Sequence, residues 1–221
     1  MTTNAAAPRR YRSDRRSDQA RATQERVIAA AATVFLRRGF GAATMREVAA
    51  TAGVSLATVE SVAGTKARLL KAAIDVAIAG DGEPVAMLAR PWAAQALAAS
   101  SVGEFLSLTA TVIGAVQHRS SGLILAVFEG SASHPDLAAL SAEMVAQRAA
   151  TARWIVEQVE RRGALRPDLS HEEAVDTVWV LMEPAVFDRL TRVRAWSLSA
   201  YERWIAVSLG RLLTDERKVS E

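Results

Sequence analysis

The sequence predicts an all-α protein in which a three-helix helix-turn-helix head is joined by a connecting helix to a larger helical body. Three observations predict it. Residues 44–66, TMREVAATAGVSLATVESVAGTK, read as two short helices around a tight turn. Apolar residues recur at helical spacing through most of the remaining chain, while Gly and Pro sit at apparent element boundaries. Charge is unevenly divided: through Gly80, 13 Lys and Arg face 6 Asp and Glu (+7), and from Asp81 onward 14 face 18 (−4). A basic head and an acidic body suggest a nucleic-acid-binding end and a differently employed remainder.

Residues 1–22 are polar and carry Arg9, Arg10, Arg12, Arg15, Arg16 and Arg21 without apolar periodicity. They predict a flexible basic arm able to follow phosphates or enter a minor groove. The head then spans 23–79 and the body 80–221. A first helix is expected over 24–38, capped by Thr23, with Val27, Ile28, Ala31, Val34 and Phe35 inward and Gly39 at its end. Phe40 is suited to plug a small core. Thr44 and Glu47 form a capping box, in which the hydroxyl accepts from the third amide and the carboxylate reaches back. Gly53 suits a left-handed helix end, and Ser55 can cap a second helix over 56–62. Small Ala49, Ala52 and Ala57 permit a close crossing. In a helix-turn-helix the second helix enters the DNA major groove. Thr65 then caps a connecting helix over 66–79, with Leu69, Leu70, Ala73, Ile74 and Ala77 inward, before a loop at Gly80, Asp81, Gly82 and Pro84.

In the body, helices are expected at 90–99, 102–117 and 122–130, and from the His134-Pro135 pair to Gly163. Ser170 with Glu173 is a second capping box, opening a helix to about 194 that Pro184 kinks. Ser199 with Glu202 is a third, opening a last helix to about 213.

The absence of cysteine excludes disulfides and thiolate metal sites. No apolar run reaches the roughly 20 residues of a membrane span, and the N-terminus lacks the apolar core of a secretory signal. A cytoplasmic protein without membrane contact is therefore expected. The class of all-helical enzymes finds little support. His118, His134 and His171 lack metal-ligand spacing, no glycine-rich phosphate loop occurs, and Glu172-Glu173 and Glu157/Glu160 fall on solvated turns. No metal, cofactor or catalytic residue is expected.

The order of elements resembles the TetR (tetracycline-repressor-like) family of transcriptional regulators. The resemblance lies in FLRRGF, ATMREVAATAGVSLATV and GTKARLL within 24–79. The tail from RRGALRPDLS through VWVLMEPAVFDRLTRVRAWSLSAYERWIA is similar to one C-terminal branch of that family. The resemblance implies a repressor that binds a palindromic double-stranded DNA operator as a homodimer and is released by a small hydrophobic effector. It implies DNA contacts at Thr44, Arg46, Ser55, Leu56, Ala57, Thr58, Glu60 and Ser61, with Lys66 as a phosphate-binding lysine. The sequence departs from the family at Glu60 and Ala63, where aromatics are usual, and at Val62, often histidine there. A carboxylate cannot donate to phosphate, so Glu60 reads a base, is held by an arginine, or weakens binding. A relative that has lost specific DNA binding is thus the second reading, and an all-helical enzyme a third. With Leu56, Ala57 and Val59 in the recognition helix, readout leans on thymine methyls, backbone contacts and DNA shape.

The resemblance also implies that the body is a ligand-binding and dimerisation domain. Candidate lining residues are Phe105, Leu106, Thr109, Phe128, Trp154, Trp179, Met182, Glu183 and Phe187, with Gln117 and His118 as further polar candidates. All five tryptophans (Trp92, Trp154, Trp179, Trp196, Trp204) lie in the body. Two stripes, Val175, Val178, Trp179, Met182, Val186 and Leu190, then Trp204, Ile205, Ser208, Leu209 and Leu212, are expected to pair with their symmetry mates in a four-helix interface.

Overall fold

The computed structural model describes residues 9–80 and 87–215. The expectations for residues 1–8 and for loop residues Asp81, Gly82 and Pro84 lie outside the described residues. Ten α-helices follow one another among the described residues: α1 Arg9–Ala42, α2 Met45–Ala52, α3 Leu56–Ala63, α4 Lys66–Ala79, α5 Pro91–Leu97, α6 Val102–Ser131, α7 Pro135–Arg161, α8 His171–Leu181, α9 Pro184–Asp188 and α10 Leu198–Leu213. A 3₁₀ turn covers Met87–Ala89 and a π turn Arg189–Val193. The described residues contain no strand, only an isolated antiparallel bridge between Leu165 and Thr214. The chain divides into two compact units between Ala73 and Ile74.

In the first unit, α1, α2 and α3 close around Val27, Ala31, Val34, Phe35, Val48 and Val59, each 1% exposed or less. Phe40 plugs this core and stacks on Phe35 at 6.1 Å. Gly39 breaks the helical dihedrals of α1 at φ 68°, a left-handed value that glycine adopts without strain. One expectation is corrected here. Helix begins at Arg9, so much of the anticipated arm is helical, and Thr23 is not a cap. Its hydroxyl donates to the Gln19 carbonyl (2.8 Å) in mid-helix. Neither Gly nor Pro occurs between positions 9 and 38, and Arg, Ala and Gln favour helix even without a buried stripe.

In the second unit, α6 packs on α10 and α7, and α7 on α8. The core gathers Phe105, Leu106, Ile155, Val159, Val178, Tyr201, Ile205 and Leu209. Gly114 permits a close approach of α10: a Cβ there would lie 2.6 Å from the Glu202 Cγ.

Four expectations change in this unit. The two helices at 102–117 and 122–130 are one, α6. Ser120 returns its hydroxyl to the Val116 carbonyl (2.8 Å), and burial on both sides of Gly122 outweighs its propensity cost of about 1 kcal/mol. Pro184 does not kink one helix but ends it, holding Glu183 extended (φ −63°, ψ 126°) between α8 and α9. The cap of α10 is Ser197, which accepts from the Ala200 amide at 3.2 Å, in place of the Ser199–Glu202 box. Finally, Val175, Val178, Met182, Ile205 and Leu209 are consumed by the protomer's own core. The apolar residues left outward are Val180 on α8 and Val207 and Leu212 on α10.

Candidate nucleic-acid interface and body cavity

The turn between α2 and α3 is fixed by local chemistry. The Thr44 hydroxyl accepts from the Glu47 amide (3.1 Å), and the Glu47 carboxylate accepts from the Thr44 amide (3.1 Å). Glu47 also meets Arg38 at 3.3 Å, tying α2 to α1. Gly53 closes α2 at φ 65°, ψ 40°, and the Val54 amide returns to the Ala49 carbonyl at 3.0 Å, which satisfies carbonyls a helix end leaves bare. The Ser55 hydroxyl accepts from the Thr58 amide (3.1 Å) and meets the Thr58 hydroxyl at 2.8 Å.

This geometry sets which side of α3 is free. Val59 is fully buried, Leu56 and Thr58 are half-buried, and Ser55, Ala57, Glu60 and Ser61 are exposed, as are Thr44 and Arg46. Six of the nine expected contact residues are thus exposed, and the other three, Leu56, Thr58 and Lys66, are half-buried. The exposed face carries short side chains, so a polymer can approach its backbone closely. Glu60 is exposed, and no arginine among the described residues pairs with it.

Lys66 differs from the free ammonium that the resemblance implies. Its Nζ donates to the carbonyls of Phe40 (2.8 Å) and Ala43 (3.0 Å), reaches that of Gly41 (3.4 Å), and lies 4.3 Å from the Phe40 ring centre. It closes the end of α1, whose last carbonyls lack helical partners.

The expected ligand residues of the body are dispersed. Phe105, Leu106 and Thr109 are core, with the Thr109 hydroxyl donating to the Phe105 carbonyl (2.8 Å). Trp154 packs edge-on against Trp92 (5.7 Å) and tilts on Phe105 (5.8 Å). Phe128 is half-buried on α6. The Arg148 guanidinium lies 4.2 Å above Trp179 and pairs with Glu183. Burial pulls Arg148 below its ordinary value, while Glu183 pulls the other way. The Met182 carbonyl, beside the Pro184 break, accepts from Gln117 Nε2 at 2.6 Å.

A cavity of about 310 Å³ lies elsewhere in the body, lined by His118, Phe187, Thr191, Arg192, Trp196 and Leu198. Of the nine residues expected, Phe187 alone reaches it; His118 was a further polar candidate. Thr191, Arg192 and Leu198 escape sequence reading because the π turn and the α10 start that bring them together leave no periodic signal. Four buried side-chain atoms of the body, Trp92 Nε1, Gln117 Oε1, Arg148 Nε and Tyr201 Oη, have no hydrogen-bond partner among the described residues.

Comparison with known proteins adds the following. The model of a family described as bacterial regulatory proteins, tetR family, matches residues 27–73, the head. No curated protein matches the chain. Among solved structures it is similar to FadR from Bacillus subtilis, solved with stearoyl-CoA (TM-score 0.66, 16% identity, covering 84% of this chain and 96% of that one). It is similar to a TetR transcriptional regulator from Chloroflexus aurantiacus (TM-score 0.61, 19% identity, 89% and 98% covered). It is also similar to NalD of Pseudomonas aeruginosa, the secondary repressor of the MexAB-OprM multidrug efflux pump (TM-score 0.65, 14% identity, 89% and 99% covered). At such identities the likeness is one of fold.

Proposed function

We propose that this chain, whose head matches the tetR family of bacterial regulatory proteins, is a cytoplasmic transcriptional repressor of that family. It binds a palindromic operator as a homodimer and is released by a small hydrophobic molecule. The observation that carries the reading is the free face of α3: a capped N-terminus with Ser55, Ala57, Glu60 and Ser61 exposed over a buried Val59. Thr44, Arg46, Leu56 and Thr58 complete the contact set, and the helix N-termini themselves favour phosphate. Unpaired Glu60 is assigned to a cytosine amino group, the donor a carboxylate can accept from in the major groove.

Two features support pairing. Val180, Val207 and Leu212 remain exposed, the kind of outward apolar surface a partner covers. Around them, Glu172, Asp176 and Val180 form an acidic stripe on α8, and Arg203, Val207 and Arg211 a basic stripe on α10, all exposed. In a two-fold dimer α8 of one copy meeting α10 of the other would match charge to charge. A ligand role is supported by the body cavity and by the stearoyl-CoA held by the similar B. subtilis FadR.

Selection from random duplex DNA tests the reading. The wild-type chain is expected to enrich one sequence, and Ala57→Asp, which sets a carboxylate against the groove, to enrich none. Equal enrichment by both chains would remove α3 from the interface.

A further inference from the structure

We propose that the cavity between α6, α9 and the start of α10 is an effector site for a flat molecule of one or two aromatic rings bearing an acidic group. The inference rests on the regulator reading and names the ligand class. Two aromatic walls face the space, and each is braced edge-on by another ring: Phe187 by Tyr201 at 4.8 Å, and Trp196 by Trp204 at 6.2 Å. Braced rings present fixed faces for stacking. The volume of about 310 Å³ is at the lower end of ligand pockets, roughly 300–1,000 Å³. It suits one or two fused rings.

The polar lining consists of His118, Thr191 and Arg192, with no carboxylate among the six lining residues. Arg192 gives Nε and one Nη to Asp188 (2.7 and 2.9 Å), which leaves its other N–H groups as donors. Arg189 and Arg194 flank it in the chain. The remaining N–H groups of Arg192 are the donors for an anionic group, set against the opposing charges of Asp188 and Glu129 beside Arg192. Its wall is built by two departures from regular helix. The π turn over Arg189–Val193 is followed by Ala195 at φ 55°, a left-handed value rare for a residue with a side chain. Together they place Trp196, whose amide donates to the Leu190 carbonyl at 3.0 Å. Such irregularities concentrate at ligand sites.

The position also explains how occupancy would be felt. His118 lies between Gln117, bonded to the Met182 carbonyl, and Arg119, which donates to the Ala77 and Ile78 carbonyls at the end of α4 (2.8 and 3.1 Å).

The test is calorimetric titration of the full chain with 2-naphthoate, with 2-naphthylmethylammonium as the charge-reversed control. One naphthoate per chain is expected, bound at least tenfold tighter than the ammonium compound. Trp196→Ala and the exposed Arg192→Gln are each expected to weaken it tenfold or more, with melting curves reporting on their folds. No naphthoate binding, equal binding of the two compounds, or full binding by folded Arg192→Gln would overturn the proposal. DNA binding is measured separately without either compound. A chain that grips DNA but ignores naphthoate refutes the site and leaves the regulator reading standing; the reverse result keeps the site and removes the regulator.

Discussion

Lys66 depends on partners far away in the chain, whereas the buried Tyr201 hydroxyl has none. The Lys66 ammonium is shared among three carbonyls lying 23 to 26 positions upstream. Lys66→Ala is therefore expected to cost roughly 1.5–3 kcal/mol of stability, the range for hydrogen bonds to a charged group. The salt dependence of DNA binding is expected to stay unchanged. Urea melts and a gel-shift salt titration check the two halves, and a slope reduced by about one unit would restore the phosphate contact. Tyr201 presents the opposite case. Its hydroxyl is buried without a partner, and burial pushes its pKa up. Tyr201→Phe is expected to raise stability by about 1 kcal/mol, because an unpaired buried polar group is removed without creating a cavity. A loss of similar size in the urea midpoint would mean the hydroxyl has a partner. Thr44, Glu47, Gly53 and Ser55 were legible in the sequence because each acts within a few residues of itself. Lys66 was not, since no local pattern encodes a partner across α1.

Helix ends were legible where a cap or a glycine marks them, and were misread where burial decides instead. Ser170 and Glu173 make the box the sequence predicts, with hydroxyl and amide of Ser170 both donating to the Glu173 carboxylate (2.6 and 2.9 Å). The hydrogen bond from the Ser170 side chain, then that from its backbone, holds Glu173 below its ordinary value, and Ser100 does the same for Glu104. A carboxyl depressed in the folded state stabilises the fold above its unfolded pKa, about 4.3 for Glu, and that contribution is lost as pH falls through the folded value. Glu173→Gln with Glu104→Gln is thus expected to reduce the drop in urea midpoint between pH 7 and pH 3, and an undiminished drop would locate acid sensitivity elsewhere. The continuity of α6 has no such marker, because Gly122 and the polar run before it imitate a break that packing overrides. Through that continuity one turn carries both His118 and Arg119. Arg119→Ala is expected to leave 2-naphthoate binding intact and weaken naphthoate-induced DNA release several-fold in a gel shift. Undiminished release would limit Arg119 to closing the end of α4.

On the scale of the whole chain, the divided charge and the helical order read from the sequence agree with the fold, whereas five of the eleven residues expected in the dimer stripes lie in the protomer's own core. Hydrophobic periodicity tells which residues turn inward; it does not tell whether inward means the protomer's own core or a second copy. The exposed stripes of opposite charge on α8 and α10 are the surfaces proposed to pair. Arg203→Glu with Arg211→Glu is expected to give monomers in sedimentation, and adding Glu172→Arg with Asp176→Arg to restore the dimer. Monomers in the fourfold variant would dissociate the two stripes from pairing. The central claim is that two heads, held at one distance by a paired body, read the two halves of one site. It is tested most directly by measuring the affinity for the enriched duplex after its halves are moved apart by half a helical turn, about 5 base pairs. Affinity is expected to fall to that of unrelated DNA; a spaced site bound as tightly as the original would contradict the claim.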